Sequence, residues 1–330
     1  MRILLTHTPD ARARYYGEAA LDELRRLGEV RLNPTGGLLD AGALAALARD
    51  CDVIVSDRQT PAPAELFGKL PDLVAFVRCA MDIRNVDVAA ASAAGIVVTR
   101  ASAGFVASVA ELAVGLLVDL ARGTSAAVAA YRSGRAPEIR MGVQLAGSTL
   151  GIVGCGAIGR RLAGFAAAMG MKILAFDPDP DAVPAGVERT GFESLLGRSD
   201  FVVCLAAATP QTRHMMGKAA FAAMPRGAFF VNLSRGELVD EAALLAALDA
   251  GHLAGAAVDV GMAPDQMPSP AVAAHPGVVA TPHIGGLTPA AVSHQAFDTV
   301  RQVAALSRGE MPDLAVNPES AARLARLRAN

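Results

Sequence analysis

Long runs of like charge are missing from this chain of 330 residues, which carries 30 Lys and Arg against 32 Asp and Glu for a net charge of -2. Nucleic acid and anionic membrane surfaces are bound mainly through clustered positive charge, so neither is expected as the main partner. The most apolar helical stretch, from Val106 to Leu120, contains Glu111 and Asp119 and is too short to span a bilayer. We interpret it as a buried helix.

Cysteine is also scarce, and its four positions show no spacing typical of a zinc site or a redox pair: Cys51, Cys79, Cys155 and Cys204. We expect small core residues in a reducing cytoplasm, with a reactive thiol at Cys155 as the less favoured alternative. No signal peptide is expected either, because Asp10, Arg12 and Arg14 interrupt the first apolar residues.

Apolar residues are abundant, at 52% with a positive mean hydropathy, and a chain of this length can bury two ordinary cores. Apolar runs of strand length alternate with segments of helical period, which is typical of α/β units with parallel sheets. Strands are predicted at Arg2–Thr6, Glu29–Leu32, Asp52–Ser56, Leu73–Val77 and Gly95–Val98. A second set is predicted at Leu150–Val153, Lys172–Phe176, Phe201–Leu205, Ala228–Leu233, Ala254–Val258 and Val278–Ala280.

A glycine-rich turn, in GIVGCGAIGR, follows the first strand of the second set. Gly154 allows the tight turn, Gly156 lets backbone amides approach a pyrophosphate, and Gly159 lets the next helix pack closely on the strand. The positive end of that helix would point at the anion. Asp177 ends the next strand, where a carboxylate accepts ribose hydroxyls and repels a 2′-phosphate. The pattern favours an NAD site, although such turns also occur as plain loops and in flavin or S-adenosylmethionine sites.

Residues able to bind or react stand where five strands of the second set end. Carboxyl ends of parallel strands meet at one edge of an open sheet, so we expect these residues to be gathered there. They are Gly154, Asp177, Arg235, Asp259 and His283. Each alone is more commonly a solvated loop residue, but four complementary polar residues at one edge indicate a ligand site.

Three of these residues could act on a substrate. The guanidinium of Arg235 can bind a carboxylate through two hydrogen bonds and polarise a carbonyl, or it can form a salt bridge to Glu237 or Asp240. His283 can supply or remove a proton near neutral pH. Asp259 could bind the carboxamide of a nicotinamide or cap the following turn, and its spacing leaves both open. The remaining histidines are predicted to be surface or packing residues: His7, His214, His252, His275 and His294.

Several segments together resemble the NAD-dependent D-2-hydroxyacid dehydrogenases, the family that includes phosphoglycerate, glycerate, D-lactate and formate dehydrogenases. The segments are GIVGCGAIGR with Asp177, TPQTRHMM, MPRGAFFVNLSRGELVDEAALLAAL, AGAAVDV, TPHIGGLT and, in the N-terminal part, VRCAMDIRNVDVAAASAAGIVVTRASAGFVASVAEL. The likeness covers nearly the whole chain.

This resemblance implies two Rossmann-like domains with parallel sheets. An NAD-binding domain at residues 100–287 would be inserted into a flavodoxin-like substrate-binding (lid) domain made of residues 1–99 and 288–330. Arg235 and His283 are implied as catalytic residues, Met81 and Arg235 as substrate-binding residues, and a homodimer as the assembly. The cofactor-binding residues implied are Gly154, Gly156, Ala157, Ile158, Gly159, Asp177, Ala206, Leu233, Ser234, Asp259 and Gly286.

The chain departs from the family pattern beside the histidine. Pro264 stands where the family usually has a glutamate that pairs with the histidine, and Asp265 is the nearest replacement. Without an acid partner the imidazolium loses an opposite charge, so we expect the pKa of His283 to fall.

The predicted substrate loop departs as well. Ala80 and Asp82 flank Met81 where the family usually has two glycines that offer backbone amides to a carboxylate. Asp82 would repel an anionic substrate unless a nearby arginine neutralises it, the candidates being Arg58, Arg78 and Arg84.

We therefore expect an oxidoreductase that transfers a hydride between NAD(H) and a small 2-hydroxy acid or 2-oxo acid pair, with no metal. The alternative is an NAD(H)-binding regulatory or interaction protein of the same fold with weak or no turnover, which Pro264 and Asp82 favour. A methyltransferase that uses S-adenosylmethionine is a third hypothesis, disfavoured because it would leave Arg235 and His283 without a role.

Overall fold

A computed structural model describes residues 1–328, and the chain divides into two compact units. Unit 1 contains residues 1–105 and the chain from Leu287 onward, and unit 2 contains Val106–Gly286. Each unit is built around one sheet in which every pair of neighbouring strands is parallel. The α/β fold class with two parallel sheets is thereby confirmed. The assignment of substrate and cofactor to the two domains stays a prediction.

The sheet of unit 1 has five strands in the order β2-β1-β3-β4-β5. The strands are β1 (Arg2–Leu5), β2 (Glu29–Leu32), β3 (Val53–Ser56), β4 (Ala75–Arg78) and β5 (Val97–Thr99). The helices between them are α1 (Pro9–Tyr15), α2 (Glu18–Leu27), α3 (Ala41–Leu47), α4 (Ala64–Gly68) and α5 (Val88–Ala93). Side chains of Thr8, Asp40 and Asp87 cap the first turns of α1, α3 and α5, where backbone amides have no helical acceptor.

The sheet of unit 2 has seven strands in the order β12-β11-β10-β9-β6-β7-β8. The strands are β6 (Thr149–Val153), β7 (Lys172–Phe176), β8 (Glu188–Arg189), β9 (Phe201–Cys204), β10 (Ala228–Asn232), β11 (Leu253–Val258) and β12 (Val278–Ala280). The helices are α6 (Val106–Arg122), α7 (Thr124–Arg132), α8 (Ala157–Ala168), α9 (Phe192–Arg198), α10 (Lys218–Ala223), α11 (Glu241–Asp249) and α12 (Pro270–Ala273). The chain then returns to unit 1 through α13 (Pro289–Ser307), which packs on α2.

Apolar side chains alternate between the two faces of the first sheet, as the period of a β-strand requires. One face packs Leu5, Val55 and Val77 against Leu21 and Val303, and the other packs Leu4, Ile54 and Phe76 against Leu44 and Leu66. In unit 2, β9 to β11 are almost wholly buried, as expected of parallel strands covered on both faces.

The structure adds two elements that the sequence pattern did not predict. Strand β8 is a two-residue edge strand with both side chains exposed, and α7 has no buried residue. Neither carries the apolar periodicity by which elements are recognised. Among the described residues no single helix is long and apolar enough to cross a bilayer. Helices α6 and α7 reach that length and apolar content only when they are counted together, and the chain bends by 70° between them.

Candidate functional site

The glycine-rich turn joins β6 to α8 and shows three distinct environments. Gly154 has φ +92°, and a Cβ there would lie 2.5 Å from the backbone nitrogen of Ala206. A Cβ on Gly159 would lie 2.5 Å from the carbonyl oxygen of Gly154. A Cβ on Gly156, by contrast, would meet no atom within 4 Å. Open space therefore lies at the start of α8, beside Ala157 and Ile158, where no side chain caps the helix.

Asp177, which follows β7, stabilises the glycine-rich turn through its carboxylate. One carboxylate oxygen accepts a hydrogen bond from the backbone N–H of Cys155 at 2.7 Å, and the other accepts one from Asp179 N–H at 3.0 Å. Asp179 in turn accepts the N–H of Asp181. Three carboxylates thus stand near the glycine turn, an arrangement that disfavours an additional phosphate by charge repulsion.

Uncapped amides, open space at Gly156 and an acid at the end of the second strand are the features that a dinucleotide requires. The residues present fit a pyrophosphate with an adjoining ribose. Among the described residues, no group of three or more His, Cys, Asp or Glu side chains is arranged to hold a metal ion.

The end of β10 is held by Asn232, a buried residue that the sequence interpretation missed. Its side-chain oxygen accepts the N–H of Ser234 at 3.1 Å, and its amide donates to the carbonyl oxygen of Arg235 at 3.0 Å. The Ser234 hydroxyl donates to the carbonyl of Ala206, which links the ends of β9 and β10. Leu233, which precedes Ser234 in the chain, is buried. The sequence did contain a signal for Asn232: a polar residue at the end of an apolar strand is expected to be buried and hydrogen-bonded.

Arg235 follows directly and is half-buried. Its Nη1 donates to the carbonyl of Ser234 at 2.8 Å, which fixes the guanidinium near its own strand end. A Cβ on the next residue, Gly236, would overlap the backbone of Gly261. This close approach brings the loop after β10 against the loop after β11.

Asp259, at the end of β11, is only 2% exposed and organises the loop that carries His283. Its carboxylate accepts hydrogen bonds from the Thr281 hydroxyl at 2.6 Å, Ile284 N–H at 2.8 Å and Gly285 N–H at 2.8 Å. The Asp259 carboxylate therefore caps the backbone of this loop, as one of the two alternatives from the sequence predicted. Contact of Asp259 or of neighbouring Gly286 with a cofactor stays a prediction.

His283 lies beyond β12 with φ +56°. Its Nδ1 lies 2.9 Å from the carbonyl oxygen of Asp265. A carbonyl oxygen can only accept, so Nδ1 carries the hydrogen and Nε2 is the basic nitrogen of the neutral ring.

All seven strands of this sheet are parallel, so the residues that follow their carboxyl ends lie at one edge of the sheet. Five of the predicted strand-end residues are brought together there: Gly154, Asp177, Arg235, Asp259 and His283.

Met81 belongs to unit 1, in the loop after β4. Beside it, the Asp82 carboxylate accepts Nε of Arg84 at 3.1 Å and Nη2 at 2.9 Å. Arg84 therefore neutralises this acid. Arg78 is fully buried and donates to Ser56 Oγ at 3.0 Å and to the Asn85 side chain.

Comparison with known proteins agrees with this geometry. Residues 114–285 match the model of the D-isomer specific 2-hydroxyacid dehydrogenase NAD binding domain. The chain is 34% identical over 305 residues to a D-3-phosphoglycerate dehydrogenase of Methanocaldococcus jannaschii, covering 91% of this chain and 57% of that protein. It is 35% identical over 279 residues to a glyoxylate reductase of Korarchaeum cryptofilum, covering 82% and 84%.

The solved structure of a glyoxylate reductase from Paecilomyes thermophila superposes with a TM-score of 0.82 at 26% identity, covering 97% of this chain and 99% of that one. The chain spans about half the length of the phosphoglycerate dehydrogenases it matches, from 49% to 57% for three of them. Fold, strand-end residues and the matched domain agree: this chain belongs to the D-isomer specific 2-hydroxyacid dehydrogenase family, and residues 114–285 match the NAD-binding domain of that family.

Proposed function

We propose that this chain is an NAD-dependent oxidoreductase that interconverts a small 2-oxo acid and its D-2-hydroxy acid. The observation that carries the proposal is the set of groups at one edge of the second sheet: a glycine turn, a carboxylate, a guanidinium and an imidazole. Relatives named D-3-phosphoglycerate dehydrogenase and glyoxylate reductase support this reaction type.

In this proposal the cofactor pyrophosphate binds at Gly154, Gly156 and Gly159, next to Ala157 and Ile158, and Asp177 accepts the ribose hydroxyls. The remaining cofactor contacts are assigned to Ala206, Leu233, Ser234, Asp259 and Gly286. When bound, the nicotinamide supplies the hydride chemistry. The protein supplies orientation, charge and a route for the proton.

Arg235 is proposed to bind the substrate carboxylate and to polarise the carbonyl that reacts, because a planar guanidinium offers parallel donors to neighbouring oxygens. Nε2 of His283 takes the hydroxyl proton during oxidation and, once protonated, returns it to the carbonyl oxygen during reduction. Met81 and the domain made of residues 1–99 and 288–330 are proposed to complete substrate binding.

The second candidate is an NAD(H)-binding regulatory protein with weak or no turnover. Two observations favour it: Pro264 stands where an acid partner of the histidine is expected, and the loop at Met81 presents the ion pair of Asp82 and Arg84 rather than glycine amides.

Two measurements separate these candidates. NADH oxidation is followed with glyoxylate, hydroxypyruvate, pyruvate and bulkier 2-oxo acids, and NADH binding is measured by calorimetry. Turnover of at least one acid supports the enzyme. Binding without turnover on the panel supports the regulatory protein, and absence of binding contradicts both.

We also propose a homodimer that works in the cytoplasm. Ile139 and Met141 are each 99% exposed, and Tyr131 is 69% exposed on the preceding helix α7. Large apolar side chains exposed close together in the chain favour a surface covered by a partner, which we propose is a second copy of the chain. All four cysteines are unpaired and buried, as is usual in a reducing compartment.

A further inference from the structure

The imidazole of His283 is oriented by a main-chain group. Nδ1 donates to the carbonyl oxygen of Asp265 at 2.9 Å, although an aspartate carboxylate belongs to the same residue. A carbonyl carries a dipole and no net charge, so this contact selects one ring tautomer without adding an opposite charge to the imidazolium.

The segment that presents this carbonyl has an unusual backbone. Asp265 (φ +57°, ψ +25°) and Gln266 (φ +60°) are consecutive non-glycine residues in the left-handed region. Side chains other than Gly, Asn and Asp rarely adopt that conformation. Hydrogen bonds from Gly261 N–H to Gln266 O at 2.8 Å and from Ala263 N–H to Met267 O at 3.0 Å close the loop. The carbonyl is thus held in place by the backbone conformation of residue 265.

The other end of the contact is equally restrained. The His283 N–H donates to Asp259 O at 2.9 Å and to Thr281 O at 3.0 Å, while the buried Asp259 carboxylate holds the two residues that follow. Hydrogen bonds therefore restrain both the backbone of His283 and the Asp265 carbonyl oxygen that its ring contacts.

We propose that the main chain of Asp265 is the positioning group for His283: its carbonyl oxygen holds the hydrogen on Nδ1, leaves Nε2 as the reacting nitrogen, and does so without the Asp265 carboxylate. The importance of Nε2 for turnover rests on the proposed function. The assignment of the hydrogen to Nδ1 does not, because it follows from the contact with the Asp265 carbonyl oxygen.

The test is a series of substitutions that separates side-chain charge from backbone conformation. Asp265→Asn and Asp265→Gly remove the carboxylate but tolerate the left-handed region, whereas Asp265→Val disfavours it through its branched Cβ. Met262→Val is the matched control, because Met262 is exposed and does not have a positive φ. Nitrogen chemical shifts of 15N-histidine-labelled protein at pH 8 report the tautomer of His283, assigned by comparison with a His283→Gln variant.

We expect wild type, Asp265→Asn, Asp265→Gly and Met262→Val to show the Nδ1–H tautomer, and Met262→Val to keep kcat within threefold of wild type. Asp265→Val should show a tautomer mixture and a kcat at least tenfold lower. The inference is overturned if the wild-type ring carries its hydrogen on Nε2, or if Asp265→Gly loses the preference for the Nδ1–H tautomer as fully as Asp265→Val.

Two further outcomes are covered by this design. If Asp265→Val does not fold, the Gly variant still decides, since glycine has no side chain that could accept the hydrogen, whereas the amide oxygen of asparagine could replace a carboxylate oxygen. If wild type binds NADH but reduces no 2-oxo acid, the proposed function fails, while the nitrogen shifts still confirm or contradict the placement of the hydrogen.

Discussion

At the scale of single residues, the site is built by polar side chains whose hydrogen bonds stay within the protein. Asn232 and Asp259 are buried, and each fixes a loop that presents another residue: Asn232 presents Arg235, and Asp259 presents His283. Strand-end position was enough to single out the arginine and the histidine. The supporting contacts depend on how each loop folds back, which strand patterns do not reveal.

Arg235 gives the prediction for substrate binding. Arg235→Ala should raise the barrier by about 2 to 4 kcal/mol, or roughly 30-fold to 1000-fold in kcat/KM, because in the proposed mechanism it removes a charge that stabilises the developing oxyanion. Arg235→Lys should recover only part of the loss, since lysine lacks the planar fork.

Steady-state kinetics with the best 2-oxo acid measures this effect, and the dissociation constant of NADH is the control that should not change. Full activity of Arg235→Lys would contradict the bidentate role.

At the scale of elements, the start of α8 is the part that the sequence described best. The spacing of its glycines predicted the turn, and the structure assigns steric reasons to Gly154 and Gly159, where a side chain would overlap backbone atoms. Strand β4 was predicted less well, as Leu73–Val77 in place of Ala75–Arg78. A charged residue normally marks the end of a buried strand, but here Arg78 is itself buried.

Gly156 gives a prediction that separates binding from stability. Gly156→Ala should leave the midpoint of thermal unfolding unchanged, because the added Cβ meets no protein atom, but should weaken NADH binding at least tenfold by filling the space assigned to the pyrophosphate. Gly164→Ala is the matched control within the same helix.

Gly164 also has no atom within 4 Å of an added Cβ, so its substitution should stabilise α8 by about 0.5 to 1 kcal/mol and leave NADH binding unchanged. Calorimetric titration and thermal melts measure both quantities. Wild-type affinity in Gly156→Ala would refute the proposed pyrophosphate position.

At the scale of the whole molecule, stability should depend on pH through a residue of unit 1. Burial lowers the pKa of His7 from 6.5 to about 4; the charge of Asp57 opposes this change, and Arg78 and Arg12 add to it. The unfolded chain therefore binds a proton that the native chain does not bind between these two values. Stability from this residue is complete above pH 6.5 and is lost as the pH falls toward 4.

The loss between pH 7 and pH 4.5 should be about 2 to 3 kcal/mol in the free energy of unfolding. Urea unfolding at the two pH values measures it, with His7→Leu as the comparison. A pH dependence that is the same in both proteins would exclude His7 as its source.

The proposed dimer is the prediction for assembly. Light scattering should give a dimer mass for wild type and a monomer mass for the double variant Ile139→Asp, Met141→Asp, because two carboxylates cannot be buried in an apolar interface without partners. Leu38→Asp, at an exposed apolar position of unit 1, is the control and should stay dimeric. A monomeric wild type at micromolar concentration would contradict the proposal.

The sequence by itself determined the α/β class, the glycine turn and the residues at the strand ends, because strand period, helix period and the geometry of parallel sheets are local or follow from connectivity. Only the tertiary structure decided which atoms meet. It pairs Asp82 with Arg84, commits the Asp259 carboxylate to a loop, and sets the Asp265 carbonyl on His283. Such contacts depend on a few backbone angles in loops, where a change at one residue redirects every group that follows.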